Sequence, residues 1–102
     1  MSIKKQVLKN KNVAKITFNL NKEEVGTAEK IAILGDFNNW NPESNQMEKL
    51  KNGNFKTLIE LETGKEYQFR YLIDNQNWLN DIEADKLVEN NITSDSNAVL
   101  IL

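Results

Sequence analysis

The chain has no cysteine and no histidine, one proline and four glycines. Without cysteine, neither a disulfide framework nor a thiolate metal site can form. Without histidine, the commonest general base and the commonest metal ligand are both missing. Catalysis would fall to carboxylates, lysines and tyrosines alone, and no metal or cofactor is expected. The four glycines lie far apart, which excludes a phosphate-cradling loop. No window approaches the roughly 18 continuous apolar residues of a membrane helix. The first residues, Met1 to Lys9, are basic but lack a signal-peptide core and a small-residue cleavage site, so the chain reads as cytoplasmic. The triplet Asn91-Ile92-Thr93 matches a glycan acceptor, which is a chance match without secretion. Excess positive charge is lacking too. The net charge of −2 argues against a nucleic-acid partner.

What remains is enough for one domain. At 102 residues, 39% of them apolar, the chain can bury a modest core without staples. Residues 1–12 read as a basic leader or short edge segment, carrying Lys4, Lys5, Lys9 and Lys11, and residues 13–102 as the folded unit. The 16 asparagines suit turns and left-handed backbone, so they favour a loop-rich, all-β chain.

The periodicity agrees. Ala14, Ile16, Phe18 and Leu20 alternate with polar residues, as a half-buried strand requires. Lys30 to Leu34 is a continuous apolar run, predicting a central strand covered on both faces. Asn52-Gly53 predicts a type I′ hairpin turn between Met47–Leu50 and Phe55–Leu61. After a turn at Thr63-Gly64, Tyr67, Phe69, Tyr71 and Ile73 face one way and Gln68, Arg70 and Leu72 the other. Asp81 is placed to cap a short helix through Lys86-Leu87-Val88, although the apolar spacing fits a helix poorly. Ala98 to Leu102 closes the chain as a buried strand. Six or seven short strands with close turns predict an antiparallel β-sandwich, enclosing among others Ile16, Phe18, Ile33, Phe55, Ile59, Phe69, Tyr71 and Val99.

Trp40 and Trp78 each sit in a polar, turn-forming neighbourhood. A tryptophan there either anchors its loop to the core or presents a flat platform to a ligand. Glucose rings have apolar C–H faces and a rim of hydroxyls, so an indole covers the face while amides and a cation bond the rim. Arg70 and Asn97 suit the second task; the alternatives are a solvated strand residue and a turn residue. A glycosidase needs two carboxylates about 5–10 Å apart, one with a raised pKa. Asp36, Asp74, Asp81, Glu83 and Asp85 read instead as solvated turn residues, so no catalytic residue is assigned.

Three segments together resemble a known family. Ile33-Leu34-Gly35-Asp36-Phe37-Asn38-Asn39-Trp40-Asn41-Pro42 resembles the signature of family-48 carbohydrate-binding modules, which include the glycogen-binding domain of the AMP-activated protein kinase beta subunit and isoamylase early-set domains. Tyr67 to Trp78 is similar to the family's strand, turn and second tryptophan, and Asn97-Ala98-Val99-Leu100 to its closing asparagine and strand. The likeness spans about Val13 to Leu102 and is nearest to stand-alone early-set proteins. It implies an immunoglobulin-like sandwich that binds α-1,4-glucan through Trp40, Trp78, Arg70 and Asn97. It also implies an alternative, a protein-interaction module docking in trans on a glycogen-metabolising enzyme. Leu58 and Leu72 are the candidate patch for that role. Three departures stand out: Arg70 replaces the usual lysine, Asn75 the usual glycine, and one extra residue precedes Trp78. Ile92 is the nearest counterpart of a loop leucine that projects into carbohydrate in kinase-type members.

Overall fold

Ala14, Ile16, Phe18 and Leu20 are fully buried while the residues between them are only partly so, and the alternation becomes strand β2 (Val13–Leu20). The computed structural model describes residues 1–9, 11–89 and 96–102. Ile92 and the Asn91-Ile92-Thr93 triplet fall outside them. The other strands are β1 (Ser2–Val7), β3 (Ile31–Gly35), β4 (Glu48–Lys49), β5 (Phe55–Glu62), β6 (Glu66–Ile73), β7 (Asn77–Leu79), β8 (Lys86–Glu89) and β9 (Ser96–Ile101). One sheet has the order β1-β2-β5-β4 and the other β3-β6-β9-β8, with β7 also paired to β6. Every strand pair is antiparallel. A one-turn helix at Lys22–Val25 and a 3-10 turn at Asp36–Asn38 are the described helical pieces. The all-β sandwich expected from the sequence is the fold observed.

Between the sheets, Phe18, Phe69 and Tyr71 meet edge to face, with ring centroids 5.4 to 6.5 Å apart. Their burial and geometry make them the centre of the core.

Several local expectations are corrected by tertiary context. The apolar run in β3 is buried on both faces, yet β3 lies at the end of its sheet, not the centre. Its outer edge is closed by residues 45–47, since the Ile33 N–H donates to the Asn45 carbonyl and the Met47 N–H to the Ile31 carbonyl. Asn52-Gly53 does not form a type I′ turn. Only Gly53 has a positive φ, at 89°, and the Gly53 N–H donates to the Leu50 carbonyl in a three-residue loop. The Asn52 side chain accepts the Asn54 N–H and does not adopt the left-handed region. Val99 is buried, but it pairs with Gln68 on the outward face of its sheet and is absent from the inner core. Leu87 and Val88 lie in β8, not in a helix. Leu58 and Leu72 belong to different sheets, on outward faces that look in opposite directions, and form no common patch.

Asp81 is the sharpest correction: it is fully buried, not solvated. Its carboxylate accepts the Tyr71 hydroxyl at 2.6 Å and the Glu83 N–H at 2.8 Å. Burial pushes its pKa up, against the downward pull of the Tyr71 and Glu83 hydrogen bonds. The Tyr71 hydroxyl is also pushed well up, by burial first and the Asp81 charge second. Removing the acceptor leaves a buried hydroxyl and a backbone N–H unsatisfied. Asp81→Ala should therefore lose about 2 kcal/mol in urea unfolding, and a loss under about 0.5 kcal/mol would contradict the account. The sign with pH is opposite to that of an ion-paired aspartate. The folded state binds the Asp81 proton more tightly than the unfolded one, whose reference value is 3.8. Its contribution to stability falls as pH rises from 3.8 through the raised pKa, then stays level. Asp81→Asn should remove that slope from the difference between variant and wild type.

Candidate functional site

The outward face of the second sheet is organised around β6. Tyr67, Phe69 and Tyr71 turn into the core, which leaves Gln68, Arg70 and Leu72 on the outside, two residues and about 7 Å apart in turn. Cross-strand pairing sets their neighbours. Arg70 lies opposite Leu34 of β3, Gln68 opposite Val99 of β9, and Leu72 opposite Trp78 of β7. One register step beyond the Phe69–Ala98 pair, Asn97 stands beside Arg70.

Trp40 is tied to β6 through its loop. Gly35 ends β3 where no side chain fits, because an added Cβ would lie 2.6 Å from the Gln68 carbonyl oxygen and 2.9 Å from the Phe69 Cβ. Asn38 then ties the loop together. Its amide oxygen accepts the Gly35 N–H at 3.0 Å, and its amide nitrogen donates to the Ile33 carbonyl and to Asn45 Oδ1. Asn39 and Trp40 both have a φ of 57°, a left-handed conformation that is costly for an indole-bearing residue. Two bonds hold Trp40 there. Its N–H donates to the Gly35 carbonyl at 3.0 Å, and its indole Nε1–H donates to Asp36 Oδ1 at 3.1 Å. The other Asp36 oxygen accepts the Gln68 N–H of β6 at 2.8 Å. Asp36 thus couples the half-buried Trp40 ring to the sheet.

Trp78 reaches the outward face from the other end. Asp74 and Asn75 both have positive φ, 51° and 57°, and the Gln76 N–H closes the turn on the Ile73 carbonyl at 2.9 Å. This is where the chain takes the left-handed pair of a type I′ turn, and asparagine serves in place of glycine. The loop spans Asp74 to Gln76, so Ile73 pairs with Asn77 and Trp78 lies opposite Leu72. Asp74 Oδ1 accepts the N–H groups of Glu29 and Lys30, both at 2.9 Å, and those backbone bonds hold its carboxyl below the usual range. Trp78 is 45% exposed, and the Arg70 guanidinium lies 4.8 Å from its ring centroid. A cation over one indole face is worth about 0.5–2 kcal/mol and orients the ring.

Asn97 is buried, only 6% exposed, and its Nδ2 donates to Gln68 Oε1 at 3.0 Å. Its Oδ1 finds no hydrogen-bond partner among the described residues. All four residues singled out by sequence are therefore connected to three consecutive outward positions of β6. Arg70 and Trp78 touch directly, Asn97 joins through the Gln68 side chain, and Trp40 through Asp36. Sequence reasoning missed Asp36 and Gln68 as parts of this arrangement. Asp36 stands four residues before Trp40 in one tight turn, and Gln68 shares the outward parity of Arg70; both signals were present.

Asp81 and Asp85, also among the acidic candidates, are occupied structurally. Asp81 is sealed against Tyr71. Asp85 Oδ2 accepts Lys5 Nζ and the Ile101 N–H, both at 2.6 Å; burial raises its pKa, but these partners outweigh it and hold the carboxyl low. Among the described residues no group of three acidic side chains is placed to hold a metal ion. No helix among them is long and apolar enough to cross a membrane.

The molecule is an antiparallel β-sandwich in which Trp78, Arg70, Gln68 and Asn97 lie on one sheet face and Trp40 is tied to the same strand through Asp36. The chain belongs to the carbohydrate-binding family described as the glycogen recognition site of AMP-activated protein kinase, whose model matches residues 16–101. Modules of this family bind glycogen and are non-catalytic. No curated protein matches the chain.

Proposed function

We propose that the outward face of the second sheet binds a single α-1,4-glucan chain, with Trp40 and Trp78 as stacking platforms. Arg70 orients Trp78 and donates to rim hydroxyls. Asn97 acts from beneath: by holding Gln68 Oε1 it leaves the Gln68 amide nitrogen to donate toward the sugar. The observation that carries this reading is the strained Trp40. An anchor that merely plugs the core has no need of a left-handed backbone at an indole-bearing residue, nor of a carboxylate bridging its ring to the neighbouring strand. Such strain collects at functional sites.

Affinity should be modest. Ordering a flexible oligosaccharide costs rotor entropy, and its hydroxyls trade water for protein partners at little net gain. Two stacks of roughly 1–3 kcal/mol each plus a few polar contacts give a Kd on the order of 10 µM to 1 mM. Calorimetry with maltoheptaose tests this, with cello-oligosaccharides as the straight-chain control. No heat and no change in tryptophan emission at about 10 mM maltoheptaose, tenfold above the weakest expected Kd, would discard the glucan reading and leave the protein-docking one.

A further inference from the structure

Beyond Gln68 the outward face of the second sheet dips into a cleft of about 220 Å³, framed by Asp36, Glu66, Gln68, Lys86, Val88 and Val99. Register places it. Lys86 pairs with Val99, and Val99 with Gln68, so three outward side chains form one row across β8, β9 and β6. Asp36 closes the row on the β3 side through its bond to the Gln68 N–H. Val99 makes the floor. It is 2% exposed although it stands on the outward face, because its neighbours rise around it. Lys86 and Glu66 meet at 3.0 Å as one wall, and the Gln68 side chain, held by Asn97, makes another.

We infer that this cleft is a subsite for one further glucose ring, beyond those stacked on Trp40 and Trp78. The inference rests on the glucan reading of that face. Its chemistry fits a pyranose: the partly exposed Val88, beside the covered Val99, for the apolar C–H face, and an amide, an ammonium and carboxylates at the rim for hydroxyls. Its position fits as well. Gln68 is shared by the cleft and the surface between the tryptophans, and Arg70 lies only about 7 Å farther along β6. A chain bound over Arg70 therefore has its next ring within reach of the cleft. The cleft holds no large aromatic, so it adds selectivity for longer chains more than raw affinity.

Chain-length dependence tests it. Wild type, Lys86→Ala and Val88→Gln are titrated calorimetrically with maltotetraose and maltoheptaose. Lys86→Ala removes a rim donor, and Val88→Gln places a longer polar side chain over the floor. Both positions lie on a short strand with exposed neighbours, so the fold should survive, which circular dichroism and urea unfolding check directly. Maltoheptaose should bind about threefold to tenfold more weakly to each variant, while maltotetraose stays within about twofold of wild type. Unchanged binding of both ligands, or equal weakening of both, overturns the subsite alone. If wild type binds neither ligand, the glucan reading fails and the subsite falls with it.

Discussion

Gly35→Ala should lose about 3 kcal/mol of stability, the upper end of what overpacking costs, and lower the melting midpoint by about 10–20 °C. The reason is space, not backbone conformation. Gly35 has an extended φ of −168°, which any residue adopts. A Cβ there would meet the Gln68 carbonyl oxygen at 2.6 Å, the Phe37 ring at 2.7 Å and the Phe69 Cβ at 2.9 Å. Two of those three atoms belong to β6 and cannot rotate away, so the strands must separate. Separation would also strain the Asp36–Gln68 bond one residue on, and with it the seat of Trp40. Gly64 is the control. It has nothing within 4 Å but a φ of 78°, so Gly64→Ala should cost about 1 kcal/mol through conformation alone. Urea unfolding of both variants separates the two causes. A Gly35→Ala protein within about 0.5 kcal/mol of wild type would mean that the close approach of β3 and β6 is slack.

Trp40→Ala and Trp78→Ala should each weaken maltoheptaose binding about tenfold or more, since one lost stack amounts to at least roughly 1.4 kcal/mol. The double variant should show no measurable binding. The structure adds two couplings that a simple count of stacks omits. Because Arg70 lies over the Trp78 ring, Arg70→Ala should cost more affinity in wild type than in the Trp78→Ala background, where only its bonds to the rim hydroxyls remain to be lost. Because Asp36 holds the Trp40 indole N–H, Trp40→Phe should retain a ring yet lose part of the affinity, and Asp36→Ala should then cost less than it does in wild type, where the indole bond is lost as well. Calorimetric titrations of these two cycles measure the couplings. Additive losses in both would show that the rings act without their supports. Stability should change little in Trp78→Ala, because nearly half of that side chain already faces water.

How much of this was legible follows from how far apart the deciding residues lie in the chain. The alternation of Ala14 to Leu20 and of Tyr67 to Ile73 is a property of each strand by itself, because successive side chains of extended backbone point to opposite sides. It was enough to set the fold class, the main core residues and the outward parity of Arg70. The tryptophans stood out for an equally local reason, namely large apolar rings among turn-forming asparagines.

The positions misread from sequence depend on partners elsewhere. Lys30 to Leu34 is apolar enough for a central strand, but residues 45–47 decide that its edge is covered by a loop. Asp81 resembles any turn aspartate until Tyr71, ten residues earlier, is folded over it. Of the turns at Asn52-Gly53 and Asp74-Asn75, the second takes the left-handed pair, and Asp74 is fixed there by N–H groups more than forty residues away. Asp36 gains its meaning only when Gln68, 32 positions on, presents a backbone N–H to it. Local sequence determined which residues face inward and which rings stand in polar loops. The tertiary structure alone decided which polar groups meet, because a hydrogen-bond partner is set by the strand that packs alongside and not by the neighbours in the chain.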